Sequence, residues 1–258
     1  MMKVLILAGG MGTRISEESG IRPKPMVEIG NWPILWHVMK TYSHYGFNDF
    51  VILLGYKGNV IKEYFANYYL NQSSICIDLS KNTMETIQTQ VEPWKITLLD
   101  TGADTLTGGR VLRARDIVGN EPFLLTYGDG VADVDVHKLI AHHKASQKLA
   151  TMTVVQPGGK FGIVDFDSTG QVTSFTEKPQ HHSGWINGGF FVCEPQVFDY
   201  IPKSDNVMFE HDPLEGLVRD GQLGCYEHHG FWKCMDTLSD KNTLNELWNK
   251  GKALWKVW

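Results

Sequence analysis

The chain has 258 residues, of which 42% are hydrophobic and 21% are charged, and its formal net charge is −5. This length allows a sizeable buried core, whereas the negative charge excludes the basic field with which a protein attracts nucleic acid. The four cysteines show no CxxC spacing, and no stretch approaches about 18 consecutive apolar residues. We therefore expect reduced thiols, no membrane span and a cytoplasmic location.

Strands and helices alternate among the predicted elements of the first half. Continuous apolar runs predict buried strands at Val4–Ala8 and Phe50–Leu54, and the strands predicted at Ile96–Leu99 and Phe123–Thr126 continue the pattern. Apolar residues at helical spacing predict helices at Ile34–Tyr45, at Val60–Leu70 and near Gly109–Val118. Strands joined through helices by short connections form crossover units. The sequence therefore predicts an α/β fold, with a Rossmann-like, mostly parallel sheet flanked by helices.

The predicted elements change character at about Ala150. Strand patterns at Thr151–Val155, Gly162–Phe166 and Gln171–Phe175 are separated only by turn residues, which predicts an antiparallel meander added to the parallel sheet. Helices are predicted near Leu214–Asp220 and from Leu238 to about Gly251. Because no linker or repeat divides the chain, we predict a single domain over residues 1–258, with a β-rich elaboration in its second half.

A glycine-rich loop, Gly9-Gly10-Met11-Gly12-Thr13-Arg14, directly follows the first predicted strand. In an open α/β sheet the loops at the carboxyl ends of the strands form the ligand crevice, and successive backbone N–H groups there can bind an anion. The planar cation of Arg14 suits phosphate oxygens. The loop lacks the Gly-Lys-Ser/Thr of a P-loop, and Ile15 stands where a dinucleotide fingerprint needs glycine. By itself this pattern also fits a plain turn with an exposed arginine.

Lys24 stands between Pro23 and Pro25, which restrict the chain and so hold the position of the lysine. An ordinary surface lysine would be the simpler interpretation of this residue alone. The combination of GGxGTR with PKP behind an N-terminal strand, however, resembles the signature of the sugar-1-phosphate nucleotidyltransferases. Further stretches resemble motifs of that family in the family's order, namely Thr126–Gly130, Phe161–Ile163, Glu177–Pro179, Asn187–Phe191 and Phe231–Thr237.

The resemblance implies a reaction in which a sugar-phosphate oxygen attacks the α-phosphorus of a nucleoside triphosphate. Both reactants are polyanions, and two unit charges about 4 Å apart repel by about 1 kcal/mol in water and about 4 kcal/mol at an effective dielectric near 20. Catalysis should therefore rest on positioning and countercharge, without a covalent enzyme intermediate. The catalytic cations expected on this basis are Arg14 and Lys24.

The resemblance also assigns binding residues to two halves of the chain, with the nucleotide in about 1–149 and the sugar phosphate in about 150–258. The residues expected at the nucleotide are Leu7, Ala8, Gly9, Gly10, Met11, Gly12, Thr13, Thr105, Arg110 and Gly128. Those expected at the sugar phosphate are Gly162, Glu177, Lys178, Asn187 and Gly188. Asp129 and Asp236 are expected to hold Mg²⁺, which prefers hard oxygen ligands. Asp133 and Asp135 are interpreted instead as turn and helix-cap residues.

Several details, among them Ser16-Glu17-Glu18 and Val91-Glu92-Pro93-Trp94, are similar to the cytidylyltransferase branch of this family. That branch couples CTP and glucose 1-phosphate to CDP-glucose and pyrophosphate for bacterial surface polysaccharide, and we expect a homo-oligomer. The same chemistry with UTP or dTTP is the alternative, since the base rests on resemblance alone. A non-catalytic sugar-nucleotide-binding protein is a further alternative. A dinucleotide-dependent oxidoreductase is disfavoured, because Leu54-Gly55-Tyr56 stands where an acidic residue should bind the ribose.

Overall fold

The protein is built around a seven-stranded sheet. Its structure, a computed structural model, describes residues 2–12, 15, 20, 22–156, 163–166, 172–176 and 184–258, with the backbone alone at 163–166 and 172–176. In the order in which they lie side by side, the strands are β14 (Leu223–His228), β10 (Ala150–Val155), β13 (Ile186–Cys193), β8 (Phe123–Tyr127), β1 (Val4–Ala8), β4 (Asp49–Leu54) and β7 (Lys95–Asp100). Strand β13 is antiparallel to both of its neighbours, and every other pair in this sheet is parallel.

Helices and short two-stranded ribbons surround this sheet. The α-helices of the described residues are α1 (Ile34–His44), α2 (Gly58–Ala66), α3 (Tyr68–Asn71), α4 (Thr107–Arg113), α5 (Arg115–Val118), α6 (Val136–Ser146), α7 (Asp212–Arg219) and α8 (Leu238–Asn249), with 3-10 turns at Lys24–Met26 and Pro195–Tyr200. The ribbons pair β2 (Glu28–Ile29) with β3 (Trp32–Pro33), β5 (Ser73–Asp78) with β6 (Thr83–Thr89), β9 (Gly130–Ala132) with β15 (Trp232–Cys234), and β11 (Ile163–Phe166) with β12 (Val172–Thr176). Within the described ranges, no helix combines the length and the apolar character that crossing a membrane requires.

The predicted α/β class with a mostly parallel sheet is confirmed, and the four strands predicted in the first half are present. The helix predicted over Val60–Leu70 is instead two helices, α2 and α3, which meet at Asn67. The predicted meander is wrong. Strand β10 lies inside the central sheet between β13 and β14, whereas β11 and β12 pair with each other in a separate ribbon. Alternation of apolar residues identified these strands but carries no information about their partners.

The central strands are buried on both faces, as their continuous apolar runs predicted. Val4 and Ile6 of β1 belong to a hydrophobic cluster that includes Ile34 and Val38 of α1. Leu5 and Leu7 belong to a second cluster that includes Val111 of α4 and Leu217 of α7. Because successive strand residues point to opposite faces, the two clusters lie on opposite sides of the sheet. This double burial fixes β1 and β8 side by side, so their carboxyl ends meet at one edge.

The ribbon of β5 and β6 projects from this core, and the sequence analysis did not predict it. Every residue of β6 is exposed, and apolar side chains of the ribbon face outward, including Ile77, Leu79 and Met84. The ribbon carries many serine and threonine residues and buries little surface, so it gives no core-facing signal in the sequence.

An aromatic cluster joins the end of the chain to the segment that follows the Lys24–Met26 turn. His37 of α1 is fully buried, with Trp248 and Trp255 packed around its ring. Its Nε2 donates to the carbonyl of Ile29 at 2.9 Å, because Nδ1 accepts from Trp255 Nε1 at 3.4 Å. In addition, the backbone N–H of Gly30 donates to Asn245 Oδ1 at 2.8 Å. Helix α8 and the residues after it therefore brace β2 and β3.

Burial of His37 makes the stability of the protein depend on pH. Desolvation lowers the pKa of His37 to about 4, so the unfolded chain binds a proton more readily than the folded chain. The contribution of neutral, buried His37 to the free energy of unfolding is therefore complete above the ordinary histidine pKa and is lost as the pH falls toward 4. The loss reaches about 3 kcal/mol over this window. Urea denaturation at a series of pH values should show this slope, and His37→Gln should flatten it. His44→Gln, at an exposed position of the same helix, should keep the wild-type slope.

Candidate active site

A cleft of about 440 Å³ opens at the carboxyl edge of the parallel strands. Its walls come from the loop after β1, the loop after β7, the end of β8, the Lys24–Met26 turn and the loop after β15. The predicted site residues that line it are Leu7, Ala8, Gly9, Gly10, Met11, Gly12, Lys24, Thr105, Arg110, Asp129 and Asp236. The structure thus gathers most of the predicted nucleotide and metal residues in one place.

The remaining predicted residues lie elsewhere. Gly128 directly precedes Asp129, and its N–H donates to the carbonyl of Leu7 at 3.0 Å. Asn187 and Gly188 belong to β13, beside the cleft rather than in its lining. The residues that lie outside the described ranges are Thr13, Arg14, Gly162, Glu177 and Lys178. Their roles stay predictions.

A short sheet brings the two predicted metal ligands together. Asp129 follows β8 and Asp236 follows β15, far apart in sequence. Strand β15 pairs with β9, so that Cys234 stands opposite Gly130, and the N–H of Met235 donates to the carbonyl of Asp129 at 2.9 Å. These backbone bonds hold the two carboxylates on the same side of the cleft.

Lys24 lies between these carboxylates. Its Nζ is 2.7 Å from Asp129 Oδ2 and 2.5 Å from Asp236 Oδ1, and the residue is only 9% exposed. Burial alone would lower the pKa of Lys24, but the two carboxylates outweigh it and the pKa is raised. The ammonium is therefore firmly charged. The turn that carries it is fixed by N–H bonds from Met26 to Pro23 and from Val27 to Lys24.

The two carboxylates fit the magnesium ion that the sequence led us to expect. One oxygen of each, Asp129 Oδ2 and Asp236 Oδ1, converges on a single cation, and both are hard donors of the kind that Mg²⁺ prefers. Among the described residues, no group of three or more potential metal-ligating side chains forms. A pair of carboxylates is nevertheless a sufficient protein contribution, since Mg²⁺ usually takes its other ligands from water and phosphate.

Arg110 is placed differently from a phosphate ligand. Its guanidinium is buried and donates to five oxygens: those of Leu54, Gly102, Gly9 and Ala103 on the backbone and Thr101 Oγ1 in a side chain, at 2.7–3.1 Å. These oxygens belong to the ends of, or the loops after, three parallel strands, β1, β4 and β7. We therefore interpret Arg110 as a residue that positions the loops of the cleft.

This role also explains the first glycine of the loop. A Cβ at Gly9 would lie 2.4 Å from Arg110 Cζ, and one at Gly55 would lie 2.3 Å from Nη1. Any larger residue at either position would therefore displace the guanidinium. In this structure the missing side chain of Gly9 makes room for Arg110, a reason for glycine that the sequence analysis did not foresee.

Replacing Arg110 should lower stability in the absence of any ligand. Arg110→Lys keeps the charge but cannot reach all five oxygens, so we expect a loss of about 2–4 kcal/mol in the free energy of unfolding. Arg113→Lys disturbs only an exposed ion pair with Asp205 and should cost less than about 1 kcal/mol. Chemical denaturation of both variants tests this. Unchanged stability of Arg110→Lys together with weakened nucleotide binding would instead indicate direct contact with phosphate.

Glu210, which the sequence analysis missed, connects the cleft to Asn187. Its carboxylate accepts from Tyr127 Oη at 2.7 Å and from Thr107 Oγ1 at 2.6 Å. The Tyr127 oxygen in turn accepts from Asn187 Nδ2 at 3.0 Å, and Asn187 Oδ1 accepts from the N–H of Gly189 at 2.8 Å. Burial and the Glu210 carboxylate raise the pKa of Tyr127, which stays a donor. No sequence motif marks Glu210, because its role follows only from its tertiary neighbours.

Asp135 caps a helix as the sequence predicted, whereas Asp133, which was predicted to be a turn residue, pairs with a histidine. Asp135 is the N-cap of α6, where its side chain accepts from the N–H of Lys138. Asp133 lies 2.9 Å from His228 Nε2 in a partly buried pair. Neither belongs to the lining of the cleft.

Comparison with known proteins identifies the family of the chain. The family model described as nucleotidyl transferase matches residues 3–246. The chain belongs to the nucleotidyl transferase family. Its family membership makes it an enzyme of the nucleotidyltransferase class. A Salmonella typhi protein named glucose-1-phosphate cytidylyltransferase is 54% identical to it over 258 residues, which is 100% of both chains.

Solved structures of more distant proteins share the fold of this family member. HddC from Yersinia pseudotuberculosis superimposes with a TM-score of 0.68 at 23% identity, covering 96% of this chain and 100% of HddC. A UTP-bound UGPase from Acinetobacter baumannii gives a TM-score of 0.65 at 16% identity, covering 96% and 93% of the two chains. At these identities the likeness concerns the fold.

Proposed function

We propose that this nucleotidyltransferase transfers a cytidylyl group from CTP to glucose 1-phosphate, giving CDP-glucose and pyrophosphate. The observation that carries the proposal is the 54% full-length identity to the Salmonella typhi glucose-1-phosphate cytidylyltransferase. The cleft supports it, because a buried lysine and two convergent carboxylates stand beside a glycine loop at the carboxyl edge of the sheet. This is the chemistry that binding and activating a polyphosphate requires.

In the proposed reaction a phosphate oxygen of the sugar phosphate forms a bond to the α-phosphorus of CTP, and the bond from that phosphorus to the pyrophosphate oxygen breaks. The protein supplies no nucleophile. The backbone N–H groups of Gly10–Gly12 and the ammonium of Lys24 bind and orient the phosphates, joined by Arg14 as the sequence predicts. Asp129 and Asp236 would hold Mg²⁺, which when bound supplies further positive charge to the phosphate oxygens.

The sugar phosphate is assigned to the second half of the chain, through Gly162, Glu177, Lys178, Asn187 and Gly188. Asn187 is the member of this set whose surroundings favour the assignment, because its amide is held in one orientation by Tyr127 and Gly189. A fixed amide can select the hydroxyl pattern of a sugar, since a mismatched hydroxyl would leave a polar group unpaired.

The choice of substrates is tested by an assay of pyrophosphate release. Each of CTP, UTP, dTTP and GTP is combined with glucose 1-phosphate, and CTP is also combined with the 1-phosphates of mannose and galactose. We expect kcat/KM to be highest for CTP with glucose 1-phosphate. A higher kcat/KM with UTP or dTTP than with CTP would support the alternative nucleotide specificity. Absence of turnover with every pair, despite nucleotide binding, would favour a non-catalytic binding protein.

The proposed metal dependence is tested separately. Chelation with EDTA should abolish turnover, and added Mg²⁺ should restore it. Asp129→Asn and Asp236→Asn should each lower kcat at least a hundredfold, because each removes one of the two carboxylate charges proposed to hold Mg²⁺. Asp133→Asn, next to the site but outside the cleft lining, is the matched control and should retain wild-type kcat. If either variant kept its full kcat at saturating Mg²⁺, the substituted residue would not be a ligand of the metal.

The orienting role of Glu210 predicts a selective kinetic effect. Glu210→Gln replaces an acceptor-only carboxylate with an amide that can donate to Tyr127, so the hydroxyl of Tyr127 can turn and release Asn187. We expect KM for glucose 1-phosphate to rise about tenfold, with little change in the calorimetric affinity for CTP. Glu215→Gln, on the exposed side of α7, should leave both values unchanged. A loss confined to CTP affinity would contradict this role.

Three expectations stay predictions from the sequence. They are a place in the synthesis of bacterial surface polysaccharide, a homo-oligomeric state, and a single domain whose two halves bind the nucleotide and the sugar phosphate.

A further inference from the structure

Lys24 occupies the point at which the two proposed metal ligands converge. Its Nζ lies 2.7 Å from Asp129 Oδ2 and 2.5 Å from Asp236 Oδ1. A magnesium ion bound by the same oxygens would lie about 2.0–2.1 Å from each. An ammonium group and a divalent cation cannot share a space of this size, and their charges repel. Binding of the metal by this pair therefore requires that Lys24 move away.

The surroundings allow the ammonium to move while its backbone stays in place. The turn at Lys24–Met26 is buried, and prolines flank the lysine on both sides, so the Cα position is fixed. Because Lys24 lines the cleft, its four-carbon stem can nevertheless rotate into that space. The side chains of Asp129 and Asp236 are 29% and 27% exposed, so they remain accessible from the cleft.

An ammonium that leaves two carboxylates needs another anion. Of the described residues that line the cleft, Lys24 and Arg110 are the cationic ones, and the guanidinium of Arg110 already donates to five protein oxygens. Lys24 is thus the cation of the described lining that can be transferred from a carboxylate to a phosphate. A nucleoside triphosphate in the cleft would provide that phosphate.

We propose that Lys24 is the resident counter-ion of Asp129 and Asp236 in the free protein, and that the metal and the nucleotide bind with positive coupling because the nucleotide gives Lys24 an alternative partner. This inference rests on the proposed function for the identity of the nucleotide. Coupling is reciprocal, so the metal strengthens nucleotide binding by the same factor as the nucleotide strengthens metal binding.

The first test measures Mn²⁺ binding without nucleotide, by electron paramagnetic resonance of the free ion. Wild-type protein should bind Mn²⁺ weakly. Lys24→Met, which has a stem of similar length and no charge, should bind it at least tenfold more tightly although its turnover is impaired. Lys233→Met also removes a lysine from an ion pair, with Asp240 at 3.0 Å, but uncovers only one carboxylate, and it should bind Mn²⁺ like the wild type. Equal or weaker Mn²⁺ binding by Lys24→Met would overturn the proposal.

A second measurement covers the possibility that Lys24→Met folds poorly when its two carboxylates repel each other. The melting temperature of Lys24→Gln should rise on adding millimolar Mg²⁺, whereas that of the wild type and of Lys233→Met should change little. Equal shifts in all three proteins would count against the proposal.

The coupling itself is measured by calorimetric titration with a non-hydrolysable CTP analogue, with and without Mn²⁺, after subtraction of the metal–nucleotide equilibrium in solution. The wild type should show at least a fivefold coupling, and Lys24→Met should show less. Persistence of the full coupling in Lys24→Met would exclude the lysine as its source. The metal measurements use no turnover, so they can succeed even if CTP and glucose 1-phosphate prove to be the wrong substrates.

Discussion

The shape of the cleft depends on one buried guanidinium. Arg110 connects oxygens at the ends of β1, β4 and β7, which the parallel sheet brings to one edge, and it adds to the backbone bonds from Tyr56 to Gly9 and from Thr101 to Leu54. Each strand could be correctly paired while its loop adopted many conformations. Five hydrogen bonds from a single rigid, planar group select one arrangement, and the absence of a side chain at Gly9 and Gly55 makes room for it. The backbone at Gly9, where the loop proposed to bind the phosphates begins, is thus held in one position.

Above this base, the positive charge of Lys24 is compensated before any substrate enters the cleft. The Lys24 ammonium lies between two carboxylates, so three charged groups coexist at low exposure with a net charge of −1. A site prepared only to attract polyanions would hold an uncompensated positive charge and would be costly to bury. This arrangement instead keeps the lysine charged and close to where the phosphates are proposed to bind. The protein avoids an unpaired buried charge and still has a cation that it can present to substrate.

Sequence analysis found the fold class and most of the residues in the cleft, because continuous apolar runs and short motifs are local signals. It could not place strand β10 correctly, since periodicity does not identify the neighbour of a strand. It expected Arg110 at the nucleotide and did not foresee the five protein oxygens around the guanidinium, because a sequence does not show where a guanidinium points. Glu210 gave no signal at all, since its hydrogen bonds reach Tyr127 and Thr107, which are distant in the chain. In each of these cases the sequence does not show which distant residues become neighbours in the folded structure.

The bracing of β2 and β3 by the end of the chain has a consequence for biosynthesis. Lys24 is synthesised long before Asn245 and Trp255, the groups that hold the segment next to it. While the ribosome is still translating the central region, the strands β1 and β4 can pair, whereas Gly30 and His37 have no partners from α8 and the residues after it. The buried surface of this segment is therefore open to chaperones and proteases during synthesis. This segment is therefore braced only after translation has passed Trp255, later than the last strand of the central sheet.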